Sequence, residues 1–526
     1  MPSSYYIGSL ATEAPLNPDP GPPITYSYEY RDYVVHILFL PKMDSLSTFS
    51  ALALSIALLL VLYRKLTSKN PAPFPPGPKG LPILGNALDM PTSHPWITFS
   101  QWGEKYGGLV YLNALGKSIV IINDAKYAVD ILDKKARSSS DRPTLVMAGQ
   151  LVGWDKLPAL AQTSHPWPEV RRLFAQSMGS RRKVEEFGDI FEVETRAFLK
   201  STVENPMQWL EHTKKFASAI VIKVAYGYAP HDENDEMLML ANEAMDQFSE
   251  MTAVNAFAVD SIPILRFVPS WFPGAGWKTK VGVYRRSLQR MTDRPYEWTK
   301  QAMRNGSDVR GVVADQIAGA TQLTPDEEAV IKATAAGIYS GGADTSVAAI
   351  ECFVFAMTLH ILEQTKAQEE LDAVLGAGVL PTLADRDRLL YLNALFTEVL
   401  RRYTFGPMGL PHVTDQDNVH DGYFIPKGTI LLANNWAFFN DPNIYPEPEI
   451  FSPGRFLVSS SHKTTQQDPR NFLFGYGRRV CPGIHFADAS IWLVCASLLA
   501  TCTVRPVEVN GVPAPRRHSH NSWMVR

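Results

Sequence analysis

The period at which apolar positions recur changes several times along the chain, and each change marks an element. Residues 46–63 form an uncharged, almost wholly apolar run of about 18, near the lower limit for a helix that spans a bilayer. Arg64, Lys65 and Lys69 follow at once, while the preceding segment is acidic on balance. The positive-inside rule therefore predicts a single N-terminal transmembrane helix with the body of the protein on the cytosolic side. A cleaved signal peptide would carry its basic cluster on the other flank. Residues 71–82 (Pro-Ala-Pro-Phe-Pro-Pro-Gly-Pro-Lys-Gly-Leu-Pro) have little helix or sheet potential and read as a semi-rigid spacer. Beyond it, residues 108–112 and 117–122 read as two strands of a hairpin around Asn113 to Gly116. Helical periodicity begins over 125–135 and dominates the chain thereafter.

Three later segments stand out. Thr324-Pro325-Asp326-Glu327 combines an N-cap, a first-turn proline and a capping box, and opens an apolar helical pattern that runs to about Leu362. Residues 422–432 read as a hairpin strand pair, and residues 487–499 as an apolar helix. The fold class predicted is mainly α with small β-sheets. The organisation is a leader over 1–43, an anchor over 44–65, a proline-rich hinge over 66–82 and a globular body over 83–526. The leader is rich in Pro, Ser and Tyr and is either a disordered lumenal tail or a gene-model extension, because Met43-Asp44-Ser45 reads as a natural start.

Composition narrows the function. A formal net charge of −3 without a strongly basic domain argues against a nucleic-acid partner. Only four cysteines occur, Cys352, Cys481, Cys495 and Cys502, with no Cys-x-x-Cys pair, so neither a disulfide framework nor a zinc site is expected and a reducing compartment fits. The main basic concentration is Arg171-Arg172 with Arg181-Arg182-Lys183, either a solvated helix face or a docking surface for an acidic partner. The aromatic, proline-punctuated residues 262–273 suit a membrane interface or inward packing equally.

Cys481 sits in Phe474-Gly475-Tyr476-Gly477-Arg478-Arg479-Val480-Cys481-Pro482-Gly483, just ahead of the apolar helix. Glycines let the backbone curl around a sulfur and aim N–H groups at it. Those donors, with the N-terminal end of the following helix, favour a thiolate. Phe474 can shield the sulfur and Arg479 can reach an anion beside it. An iron porphyrin with propionates uses all of these features, although a buried structural cysteine is the plain alternative. Within the long helix, Gly341-Gly342-Ala343-Asp344-Thr345-Ser346 places two glycines that cost about 1 kcal/mol each relative to alanine. Either something flat packs on bare backbone, with the Thr345 hydroxyl swung away from its own backbone to open a notch, or two helices make close contact. Glu398 and Arg401 share a helix face at a spacing of three and read as a semi-buried structural pair, which Arg455 could join.

Taken in order, these pieces resemble a cytochrome P-450, the haem-thiolate monooxygenase family in its membrane-anchored form. The resemblance spans residues 46–506 and rests on Phe474-x-x-Gly477-x-Arg479-x-Cys481-x-Gly483, Glu398-x-x-Arg401, Pro453-x-Arg455-Phe456, Gly341-Gly342-x-Asp344-Thr345 and Trp167-x-x-x-Arg171. It implies haem b with Cys481 as the axial thiolate, whose electron donation favours O–O cleavage. It also implies propionates held by Arg479, Trp167 and Arg171, a fold locked by Glu398, Arg401 and Arg455, and protons relayed toward dioxygen by Asp344 and Thr345. Phe474, Gly477 and Gly483 complete the cofactor loop. The implied partners are an NADPH-cytochrome P-450 reductase, the endoplasmic reticulum membrane and a lipophilic small molecule, with a single-pass, cytosolic and monomeric enzyme.

The loop resembles fungal members most, a group that often serves secondary metabolism, including terpenoids. By family position, residues 148–161, 336–340 and 404–410 would line the pocket, and they are apolar with few charges. Three positions depart from the pattern: Gly454 stands where glutamate is usual, Asn440 where a basic residue is usual, and the β-hairpin that normally follows about residue 507 is not expected here. The leading reading is a reductase-dependent monooxygenase. The alternatives are a redox-independent haem-thiolate isomerase or dehydratase, against which the Asp344-Thr345 pair argues, and a catalytically impaired haem-binding remnant.

Overall fold

The computed structural model describes residues 70–506 except 165, 232–234, 254–255 and 459–464, together with 55–56 and the backbone of 508–509 and 512–513. The chain divides into two units, Met1–Lys69 and Asn70–Arg526. The expected leader and nearly all of the expected anchor lie outside the described residues. The second unit is mainly helical with three small sheets, as the pattern predicts.

Strands β1 (Leu109–Ala114) and β2 (Lys117–Ile122) form the predicted hairpin, in register Tyr111 to Val120. Its turn is only Leu115-Gly116, both at positive φ (51° and 82°), so the strands run further than expected. Phe74 stacks on Tyr111 at 4.5 Å, and the Tyr111 N–H donates to the Pro76 carbonyl. The proline-rich segment thus lies along this strand. Helix Ala125–Ala128 continues as a π-helix through Val129–Lys134.

Four helices build the core around the site: α1 (Trp167–Met178), α2 (Trp209–Tyr226), α3 (Trp277–Arg304) and α4 (Pro325–Leu359). The Thr324–Glu327 capping box is formed as expected, and α4 ends at Leu359, three residues before the predicted limit. The next elements are α5 (Leu390–Arg402), β3 (His412–Val413), β4 (Asn418–His420), β5 (Tyr423–Ile425), β6 (Ile430–Ala433) and α6 (Ile484–Thr501). Helices α4 and α6 are long and apolar enough to cross a membrane, but 50% and 61% of their most apolar windows are buried inside the body. They are core helices.

Two expectations are corrected. Residues 422–432 do not pair as one hairpin. Strand β5 pairs with β4 across Asp421-Gly422, whose positive φ values (50° and 80°) suit a tight turn. Strand β6, apolar on both faces, instead enters the first sheet, parallel to β2 and antiparallel to β3. Pro426 and Gly428 carry the chain between the two sheets. At the other end, a short hairpin follows α6 after all: β7 (Glu508–Val509) pairs antiparallel with β8 (Val512–Pro513). Two-residue strands leave no alternation for a sequence pattern to show.

Candidate active site

The cysteine loop opens with a helical turn, Arg470–Leu473, and its chain reverses at Gly475 (φ 80°) and Gly477 (φ 50°). Gly477 needs to be glycine for a second reason: a Cβ there would collide with the Leu132 carbonyl and Ala136. The Cys481 N–H donates to the Phe474 carbonyl at 2.7 Å, closing the loop. Cys481 is a free, half-buried thiol three residues before α6 begins. Burial pushes this thiol up, opposed by the Gly483 N–H that bonds to it and by the nearby Arg171 guanidinium. The loop does curl around its sulfur as predicted, although Gly483 itself takes ordinary negative φ (−93°).

Beside the loop four arginines gather: Arg142 and Arg479 are buried, Arg171 is half-buried and Arg478 is exposed. Arg479 donates Nε to the Ser140 carbonyl (2.6 Å), Nη1 to Pro158 (3.3 Å) and Nη2 to Ala161 (2.6 Å). Its guanidinium lies 4.5 Å from the Trp167 ring centre, with those of Arg478 at 5.5 Å and Arg171 at 5.8 Å. Burial lowers Arg479 to about 10 and Arg142 to about 9, and Arg479 adds to the shift of Arg142 by repulsion. His412 falls to about 3 through burial and the Arg142 charge, so its imidazole is neutral at pH 7. Arg142 gives Nη1 to the Leu410 and Pro411 carbonyls, while its buried Nε has no partner. Among the described residues no ion pair joins Arg142, Arg171 or Arg479 to a carboxylate. A partly buried cation cluster of this kind suits an anionic group. Arg142 and His412 escaped the sequence reading; the clue was Leu410-Pro411-His412, whose backbone carbonyls and ring converge with Arg142 only after folding.

Helix α4 reaches this region through Pro158, whose carbonyl takes the Arg479 bond and whose ring lies 2.9 Å from where a Cβ on Gly337 would stand. One turn on, the two glycines divide the roles weighed for them. A Cβ on Gly341 meets nothing within 4 Å, and Gly341 is the exposed position in the middle of a buried helix. A Cβ on Gly342 would stand 2.7 Å from Val221 on α2, so that glycine serves close helix contact. The notch weighed as one alternative is not formed. Thr345 donates Oγ1 to the Gly341 carbonyl at 2.6 Å, and α4 runs unbroken. A threonine hydroxyl in a helix bonds most readily to the carbonyl four residues back. Asp344 is half-buried on the same helix.

The structural lock forms in full. Arg401 is bidentate to Glu398 (2.8 Å and 2.8 Å), and Arg455 Nε adds 3.2 Å to the same carboxylate. Both arginines also bond to carbonyls of the loop at Phe439, Pro446, Glu447, Pro448 and Ile450. Glu398 is fully buried, far beyond the semi-burial expected. Gly454 leaves this network intact, since a Cβ there would meet only Ser452 Oγ at 3.8 Å. The basic residues Arg172, Arg181, Arg182 and Lys183 are exposed.

A free thiol in a closed loop, a partly buried cation cluster with an orphaned guanidinium N–H, and a bare helix face at Gly341 fit an iron porphyrin with two carboxylates. The cytochrome P-450 family model matches residues 75–523. The chain is 42% identical to cytochrome P-450 monooxygenase 208 of Postia placenta, covering 88% of this chain and 89% of that one. It is 36% identical to cytochrome P-450 monooxygenase claR of Ampulloclitocybe clavipes, over 87% and 84% of the two chains. It is likewise 36% identical to O-methylsterigmatocystin oxidoreductase of Aspergillus flavus, over 87% of each. The family binds haem through an axial cysteine thiolate. With its loop, cation cluster and matched span in agreement, the chain belongs to the cytochrome P-450 monooxygenases.

Proposed function

We propose that Cys481 is the axial thiolate of a haem b, and that the enzyme inserts one oxygen atom from O2 into a lipophilic small molecule with electrons from an NADPH-cytochrome P-450 reductase. The carrying observation is the Cys481 loop, with its Gly483 N–H on the sulfur and Arg171 beside it. The bound haem supplies dioxygen activation. Arg142, Arg171, Arg479, Trp167 and His412 receive its propionates. Phe474 and Gly477 shape the proximal side.

The chain's own part is positioning and proton control. Thr345 Oγ1, held on the Gly341 carbonyl at the edge of the open helix face, and the half-buried Asp344 beside it would hold and pass protons at that face. Apolar residues of 148–161, 336–340 and 404–410 hold the substrate, which favours a neutral terpenoid or other secondary metabolite. A relative named for O-methylsterigmatocystin supports secondary metabolism as the setting. Reductase docking falls to the exposed Arg172, Arg181 and Arg182, with the electrostatic steering that a basic patch gives.

Membrane contact has support within the body. Phe267 and Trp271 are 72% and 80% exposed, and Ile83 is 94% exposed. Lys117 at the β1–β2 turn bonds the Asp260 carbonyl, and Leu115 bonds Leu84, so both apolar segments flank one hairpin tip. A patch of this kind on a monomeric enzyme suits a lipid surface. It agrees with a single-pass protein of the endoplasmic reticulum whose body is cytosolic.

The test is expression with a reductase and a reduced, carbon-monoxide-bound spectrum. Wild type gives the thiolate band and NADPH-dependent turnover, and Cys481→Ala loses both. A thiolate band that survives in Cys481→Ala overturns the reading. Metabolite comparison after gene disruption identifies the substrate.

A further inference from the structure

Between the cysteine loop and the turn at 404–410 stands a buried polar pair that neither cofactor nor proton relay uses. Tyr476, 1% exposed, donates its hydroxyl to Asn435 Oδ1 at 2.7 Å. Asn435, 0% exposed, passes the contact on: its Nδ2 donates to the Gly406 carbonyl at 3.2 Å. Two backbone bonds run alongside, from Trp436 N–H to the Pro407 carbonyl (2.8 Å) and from Gly409 N–H to the Ala433 carbonyl (3.1 Å). A Cβ on Gly409 would meet both side chains, Tyr476 Cε2 at 3.9 Å and Asn435 Nδ2 at 4.0 Å. Every polar atom of the pair that the turn requires is therefore matched in a space that excludes water.

We infer that Tyr476 and Asn435 are positioning residues that set the pocket turn at Gly406 against the cysteine loop, and so tune which ligands the pocket accepts without touching the iron site itself. The inference rests on the proposed haem reading and on the turn as a pocket wall. A hydroxyl is the right group for this task because it gives one directed bond, whereas phenylalanine at 476 would fill the same space and leave a buried amide oxygen unpaired. An unpaired buried acceptor is costly enough to shift the turn toward other positions. The other end of the turn is held independently by Arg142 on Leu410 and Pro411, so loosening Gly406 tilts the wall rather than releasing it.

The test compares two probes on the full-length holoenzyme. Imidazole reads the iron site alone, while 4-phenylimidazole adds a ring that meets the pocket wall. Tyr476→Phe is expected to keep the thiolate carbon-monoxide band and the imidazole affinity, and to weaken 4-phenylimidazole about fivefold. In an Asn435→Ala background the same substitution is expected to have no further effect, since the bond is already gone. Unchanged affinity for both probes in Tyr476→Phe overturns the inference, as does an equal loss for both, which would place the effect at the iron. If Asn435→Ala fails to fold, the isosteric Tyr476→Phe alone still decides. A wild-type protein without the thiolate band would instead remove the haem reading beneath it.

Discussion

At the scale of single residues, Gly477 shows how tightly the cysteine loop is moulded. The π-helix Val129–Lys134 and the residues that follow it supply the mould: Asp133 accepts the Gly477 N–H, and the Ser140 carbonyl takes Arg479 Nε. The hydroxyls of Ser139 and Ser140 in turn bond to the Ile131 and Ala136 carbonyls, which steadies the segment. Gly477→Ala must both occupy positive φ and push its methyl into the Leu132 carbonyl. The backbone conformation alone costs about 1–3 kcal/mol. The expected outcome is a lower melting temperature and a carbon-monoxide spectrum shifted from the thiolate to the thiol band; an unchanged spectrum would show that the loop tolerates the shift.

At the scale of elements, α4 carries two adjacent glycines with opposite surroundings. Gly341→Ala places a methyl in open space and gains helix propensity of about 1 kcal/mol, so it is expected to stabilise the protein while narrowing the ligand space. Gly342→Ala drives its methyl against the stiff Val221 side chain and must move α2, at a cost of about 1–3 kcal/mol. Thermal unfolding of the two variants is expected to move in opposite directions. Helix α5 works differently. Its Glu398 gathers two arginines and the Ser452 N–H, so α5 and the loop through Ile450 form one unit. Removing one partner from such a buried network typically costs about 3–5 kcal/mol, because the remaining charges lose their compensation.

At the scale of the whole molecule, Asp488 ties α6 to the rest. It sits between Arg470 Nε and Arg386 Nη1, both at 2.7 Å, and Arg470 also reaches Thr397 on α5 at 3.2 Å. Burial alone would raise this carboxyl, but the two guanidinium groups outweigh it and hold Asp488 below its ordinary value. A carboxylate with a depressed folded pKa adds stability that is present above its unfolded value of about 3.9. That stability is lost as pH falls through the lower folded value. Acid unfolding of the wild type is therefore expected to steepen below about pH 4, and Asp488→Asn to be less stable at pH 7 with a shallower acid limb. Equal slopes in the two proteins would exclude this contribution.

Much of the site was legible in the residues because its chemistry is local. A loop of Phe474, Gly477, Arg479, Cys481 and Gly483 carries its own turn geometry, and the Thr324 capping box announces the start of α4 within four residues. Helical periodicity likewise marked the mainly helical fold. Contacts between distant segments were not legible. The pairing of β6 with β2 rather than β5, the meeting of Arg142 with Arg479 and His412, and the division of labour between Gly341 and Gly342 depend on which surfaces face each other. Periodicity reports that a residue is buried, not what buries it. The chain order therefore identified the thiolate loop and the family, while packing alone selected the partners around it.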